Sequence, residues 1–184
     1  MRDGSDPLNF SDTDWRKLVL KDWAPQSKHT VRLTGGNDVH QFYISLGHID
    51  QNSLYRSNNH WMKRTTFRLA ESANIKALGL QVNAALDGYR QHQEHPYTST
   101  SSSYFNVFSH INDKSPMIPG VNSLGLPYNV TDNPVAETAS DAGYQRSIVN
   151  VINGKGELVW SCLWVDGLKV RLASNYRYYG ETYK

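Results

Sequence analysis

The fold class this sequence predicts is mainly β: an antiparallel sandwich or jelly-roll-like sheet with one helix near residues 72–92. The alternative is an α+β arrangement in which that helix packs on an open antiparallel sheet. Three observations predict it. Apolar and polar residues alternate on both sides of the Gly35-Gly36-Asn37-Asp38 turn. The C-terminal third consists of apolar runs punctuated by Gly-Lys-Gly and Asp-Gly. Only one segment carries its apolar residues at the helical period.

Taken in order, residues 1–14 contain Gly4, Pro7 and four aspartates and read as an extended N-terminal arm. Residues 15–184 read as a single β-rich domain. The run 14–23 mixes charges with Leu18, Val19 and Leu20 and reads as a short strand. Residues 28–46 form a hairpin: Val31 and Leu33 alternate with Thr30, Arg32 and Thr34, and beyond the turn His40, Phe42, Ile44 and Leu46 alternate with Gln41, Tyr43 and Ser45. Trp61, Thr65, Phe67 and Leu69 share one parity, so 60–70 resumes a strand. In the next segment Ile75, Leu78, Val82, Ala85, Leu86 and Tyr89 fall on one helical face, with Ser72 as a plausible N-cap. Pro96 ends it, a Ser/Thr tract follows, and 104–111 alternates as a strand. Prolines at 116, 119, 127 and 134 exclude a long helix across 112–135, which reads as a long loop that packs on something through Met117, Ile118, Val121, Leu124 and Leu126. Residues 146–153, 157–165 and 168–174 then read as a three-stranded meander turning at Gly154-Lys155-Gly156 and at Asp166-Gly167.

Composition narrows the function. The chain has 184 residues, 39% hydrophobic and 20% charged. It is rich in rings, with 11 Tyr, 5 Trp and 5 Phe, which build a core or a subunit interface from few positions. Its net charge is +2, too balanced to advertise nucleic-acid binding by bulk charge, although a local basic patch stays open. One cysteine excludes an intrachain disulfide framework and a Cys-based zinc finger. The polar N-terminus and the lack of any apolar run of membrane-spanning length lead us to expect no signal peptide and no membrane partner, hence a place in the cytoplasm or in a particle assembled there. The N-x-S/T triplets at Asn9 and Asn129 then read as chance.

The chemical candidates are few. Cys162 lies two residues from Trp160 and two from Trp164. On a strand, Leu158, Trp160, Cys162 and Trp164 share one face and Val159, Ser161, Leu163 and Val165 the other, so the thiol reads as a small hydrophobe in a strand covered on both sides. His92 and His95 would be helical neighbours, but their spacing is not HExxH and no metal ligation is expected. The tract 98–103 contains neither GxSxG nor SxxK, and the Gly-rich turns lack phosphate-loop spacing. No catalytic residue and no cofactor is therefore expected. The tail interleaves rings and bases: Arg171, Tyr176, Arg177, Tyr178, Tyr179 and Tyr183 are the candidate binding residues, either in an edge strand or subunit contact or on nucleic acid.

One local likeness stands out. Residues 18–22, Leu-Val-Leu-Lys-Asp, followed by His29-Thr30, resemble the first hairpin of single-stranded RNA bacteriophage coat proteins. The resemblance covers about a dozen residues. The C-terminal third departs from it, being β-meander where those coats carry helices, and no RNA-binding residue is carried across. The reading as a whole predicts a non-enzymatic structural or assembly protein forming a homo-oligomer, such as a subunit of a coat-like shell or tube. The alternatives are a hydrolase or nuclease-like enzyme, in which two or more of His29, His40, His48, His60 and His110 converge with an acid or arginine, and a module binding carbohydrate or nucleic acid through a row of exposed rings.

Overall fold

A computed structural model of the chain describes residues 11–57, 59–96 and 103–184. The protein is mainly β. Six strands, β1 (Gln26–Gly36), β2 (His40–Asn52), β3 (Trp61–Ile75), β4 (Leu80–Pro96), β5 (Tyr144–Ser161) and β6 (Lys169–Tyr183), form one antiparallel sheet. Each strand pairs with the next in sequence, so the topology is a meander with β1 and β6 at the edges. Three tight connections lie at one end of the sheet. In the first, the Asn37 side chain accepts from the backbone N–H groups of Val39 and His40 at 2.8 Å, holding the turn shut. In the second, Lys76–Leu78 make one 3-10 turn and Gly79 adopts φ +61, a left-handed conformation that a Cβ would strain.

The helices gather at the other end. α1 (Trp15–Val19) is capped by Asp14, whose carboxylate accepts from Lys17 N at 3.0 Å. α2 (Ser103–Asp113) and α3 (Pro134–Glu137) lie in the long β4–β5 connection. Asn133 caps α3 with Pro134 at its first turn, while its amide holds the carbonyls of Gly120 and Tyr128. Trp15, Val19, Tyr55, Val107 and Ile111 form a small buried core, flanked by Leu18, Leu20, Phe108, Ile118 and Val135. Residues 11–14 join it: Thr13 N donates to Pro116 O at 2.8 Å and Thr13 Oγ1 to Ile118 O at 2.8 Å. The rest of the predicted arm, with Asn9, and most of the Ser/Thr tract lie outside the described residues.

The fold class holds, with corrections to its parts. The helix near 72–92 is absent: those residues are the end of β3, the 3-10 turn and most of β4. Val82 and Leu86 fit one helical face, but with Leu80 they also keep a period of two, and the Gly79 turn with pairing to β3 and β5 decides the matter. The reverse occurs at 104–111, which is α2, with Val107 and Ile111 one helical turn apart and buried. The run 14–23 contains helix α1 in place of a strand. The meander of three strands is a two-stranded hairpin, because β5 runs unbroken for 18 residues through Gly154 and Gly156. Among the described residues no second sheet faces the first, so the sheet is open.

Candidate functional site

Cross-strand register assigns every strand residue to one of two faces. Because partners across a ladder point the same way, one row reads Val31–Leu46–Phe67–Gly88–Ile152–Tyr178. Rows on that same face contribute Leu33, Phe42, Ile44, Leu69, Leu86, Val170, Leu172 and Tyr176. This face is apolar, yet the helices leave much of it open: Phe67 is partly buried, and the other large side chains named here are exposed from 39% at Ile152 to 71% at Val31. Its charges balance, with Lys63, Arg90 and Arg146 against Asp50, Glu71 and Glu94.

The opposite face is basic and mostly polar, with Val149 and Val151 buried on it. Lys28, Arg32, Arg64, Arg68, Lys155, Lys169, Arg171 and Arg177 share it with only three acids, Asp87, Glu157 and Glu181. A groove of about 1000 Å³ crosses all six strands here. Its row Thr34–Tyr43–Ala70–Ala85–Lys155–Asn175 has small residues at the centre, which deepen the groove, and larger ones toward the rims. Arg68 lies over the Tyr43 ring at 5.8 Å and Arg64 over Tyr89 at 4.8 Å, and Arg64 also donates to Gln91. Near the β6 edge, Tyr179 donates to Glu181 at 2.5 Å. That bond, with partial desolvation, pushes the Tyr179 phenol up to about 12. Bonds from Tyr179 and Tyr183 hold the Glu181 carboxyl below its ordinary range.

The candidate binding residues of the tail all lie on β6, an edge strand, but they do not form one platform. Arg171, Arg177, Tyr179 and Tyr183 belong to the basic face and Tyr176 and Tyr178 to the apolar one. Arg171 is paired with Glu157. Five further bases on the other strands of the same face, and Lys169 on β6, were not among the sequence candidates. Their period-two placement was legible, but the register that aligns them needed the pairing.

Cys162 is not in a central strand. It follows β5, with its N–H donating to Leu168 O at 2.9 Å, at the start of the β5–β6 turn. Trp164 is 83% exposed and meets Trp160 edge-on at 6.2 Å, so the two-sided core reading of 157–165 fails at its C-terminal half. His92 and His95 point to opposite faces of β4, not to one helical face. The five histidines of the enzyme alternative do not converge. His29 and His48 face each other across β1 and β2, His40 sits by Glu71 at the far end of the sheet, and His110 bonds Glu137 at 2.9 Å among the helices. Asp132 approaches His110 and Glu137, all three offering ligand atoms within 4.8 Å of one another.

His60 is different. It is 3% exposed, and both ring nitrogens are enclosed with no hydrogen-bond partner among the described residues. Desolvation pushes its pKa down to about 4 against the pull of Glu94. Glu94, also buried, accepts from Arg146 Nε at 3.0 Å and Nη2 at 2.6 Å, and this bond raises the Arg146 pKa. His60, Trp61 and Glu94 line a hollow of about 430 Å³ together with Tyr144, Arg146 and Ser140.

None of the described helices is long and apolar enough to cross a membrane. No protein-family model matches the chain, and no curated protein matches it either. Among the described residues, the geometry defines an open antiparallel sheet with one apolar face, one mostly basic face and edge strands β1 and β6 that carry no further strand.

Proposed function

We propose that the chain is a non-enzymatic structural subunit that assembles with copies of itself into an oligomer such as a coat-like shell or tube. The observation that carries this reading is the uncovered apolar face. Six strands at ~4.8 Å spacing and about eleven residues at ~3.3 Å each span about 900 Å². A stable interface needs about 800 Å² from each partner, whereas an ordinary monomer keeps its apolar patches smaller. The occupant is a second copy: the face is charge-balanced, so two copies meet without repulsion. Among the described residues β1 and β6 also have no strand on their outer sides and contain no proline, which favours strand addition. Light scattering at native concentration tests the reading. The chain runs as a defined oligomer, and the double variant Leu33→Asp/Leu46→Asp runs as a smaller species with an unchanged β-type circular dichroism spectrum. A stable wild-type monomer overturns it.

A second reading concerns the other face. The concentration of basic residues there, in a chain of nearly balanced charge, supports binding of single-stranded nucleic acid. Bases track the phosphates, and Tyr43, Tyr89 and Tyr179 offer ring surface for stacking. Fluorescence anisotropy with a labelled single-stranded oligonucleotide checks it. Affinity falls linearly on a log–log salt plot, and Arg68→Glu/Arg177→Glu lowers both the affinity and the slope, the latter by about 1 per residue. Salt-independent binding, or none, removes this reading and leaves assembly standing.

A further inference from the structure

The long connection between β4 and β5 brings three metal-type donors together. His110 comes from the last turn of α2, Asp132 from the end of the proline-rich loop and Glu137 from α3. His110 Nδ1 lies 2.9 Å from Glu137 Oε2, and the two side chains are only 24% and 16% exposed. Asp132 is exposed and joins them from the solvent side. Each of the three has a neighbour in sequence that fixes its position. Ile111 is in the buried core. Asn133 is 2% exposed, and its amide holds the carbonyls of Gly120 and Tyr128. Thr138 is buried and donates to Pro134 O at 2.8 Å. Donors held by rigid neighbours are preorganised.

An ion pair accounts for only two of the three. His110 and Glu137 satisfy each other. Asp132 adds a second carboxylate within 4.8 Å, and among the described residues its side chain has no hydrogen-bond or ion-pair partner. Lys114, which reaches the same loop, donates to Thr131 O at 2.5 Å. Two carboxylates around one imidazole repel, and a cation between them removes the repulsion. The donor set selects that cation. Magnesium and calcium take oxygen donors, whereas an imidazole joined to carboxylates suits zinc. Four donors at ~2.1 Å from a tetrahedral zinc stand about 3.4 Å apart. That spacing falls between the 2.9 Å of the closest pair and the 4.8 Å limit of the group. We propose that His110, Asp132 and Glu137 bind a zinc ion, with water in the fourth position on the exposed side. The proton between His110 Nδ1 and Glu137 Oε2 leaves to solvent as the ion enters. The ion clips α2, the loop and α3 together, and the site rests on neither reading given above.

The test titrates zinc chloride by calorimetry into the full chain in its native oligomeric state, stripped beforehand with a chelator. Magnesium and calcium chloride are the oxygen-seeking controls. One zinc binds per chain with micromolar affinity, and neither control binds at millimolar concentration. Asp132→Asn keeps the His110–Glu137 bond, and asparagine tolerates the φ of +51 at this position. It weakens zinc at least about tenfold while circular dichroism and particle size stay unchanged. Glu137→Gln, which can still bond His110, weakens zinc as well. Zinc also slows amide hydrogen exchange across 131–137 in the wild type. His29 and His48, facing each other across β1 and β2, are the competing imidazole pair. Zinc held there persists in Asp132→Asn, is lost in His48→Ala and leaves exchange across 131–137 unchanged, and that result overturns the proposal. So does an absence of zinc binding at millimolar concentration, or magnesium binding as tightly. The assembly reading fails or stands separately: Leu33→Asp/Leu46→Asp leaves the zinc affinity unchanged whatever it does to particle size.

Discussion

His60 carries the clearest pH signature of the chain. Its pKa is about 4 when folded and 6.5 when unfolded, so between these values the unfolded chain binds more protons. Stability from this group is therefore whole above about pH 6.5 and drains as pH falls toward 4. His92 and His95 add in the same direction, both lowered chiefly by desolvation. Urea midpoints should be flat above neutrality and drop through this window, and His60→Phe should flatten part of the drop. Removing Glu94 acts differently, because it leaves Arg146 without its carboxylate: Glu94→Ala should cost about 2 kcal/mol in denaturant melts at pH 7. Neither role was legible in the sequence. Histidine and glutamate there sit 34 positions apart, and only burial and pairing join them. The tail tyrosines and arginines were legible as candidates, because composition concentrates them in one strand.

Strand β4 and helix α2 teach the same lesson from opposite sides. Both contain apolar residues that fit a two-residue and a helical period over a short window, so local pattern is ambiguous. β4 is settled by ladders on both its edges, and α2 by burial of Val107 and Ile111 against Trp15, Val19 and Tyr55. Ile111→Ala should accordingly cost about 3 kcal/mol by thermal or urea unfolding. The glycines separate just as sharply. At Gly79 the left-handed backbone and the carbonyl of Ser161 oppose a Cβ, so Gly79→Ala should destabilise by at least about 1 kcal/mol. Gly156 sits in an unbroken strand with open space beside it. Gly156→Ala should be neutral or stabilising by about 0.5 kcal/mol, the opposite of what a glycine in a turn at 154–156 would give. The β1–β2 hairpin needed no such arbitration, because its alternation and its turn residues agree.

Considered as one body, the chain is a single open layer that buries little on its own outside the helical end. In the assembly proposed above, self-association would remove its exposed apolar face from water. Unfolding of the assembled protein should thus shift to higher denaturant as protein concentration rises, which melts at two concentrations differing tenfold will check. A monomer would show no such shift. The alternation written into residues 28–46 and 60–70, and the turn at 35–38, determine that this chain makes antiparallel strands, since side-chain direction on a strand follows from backbone geometry alone. What the sequence could not determine is which parities line up across six strands. That alignment follows from hydrogen-bond register between residues as far apart as Asp87 and Asn153. Only this long-range pairing sorts a nearly balanced set of charges into one basic face and one neutral, apolar one, and places His60 in a hollow beside Glu94.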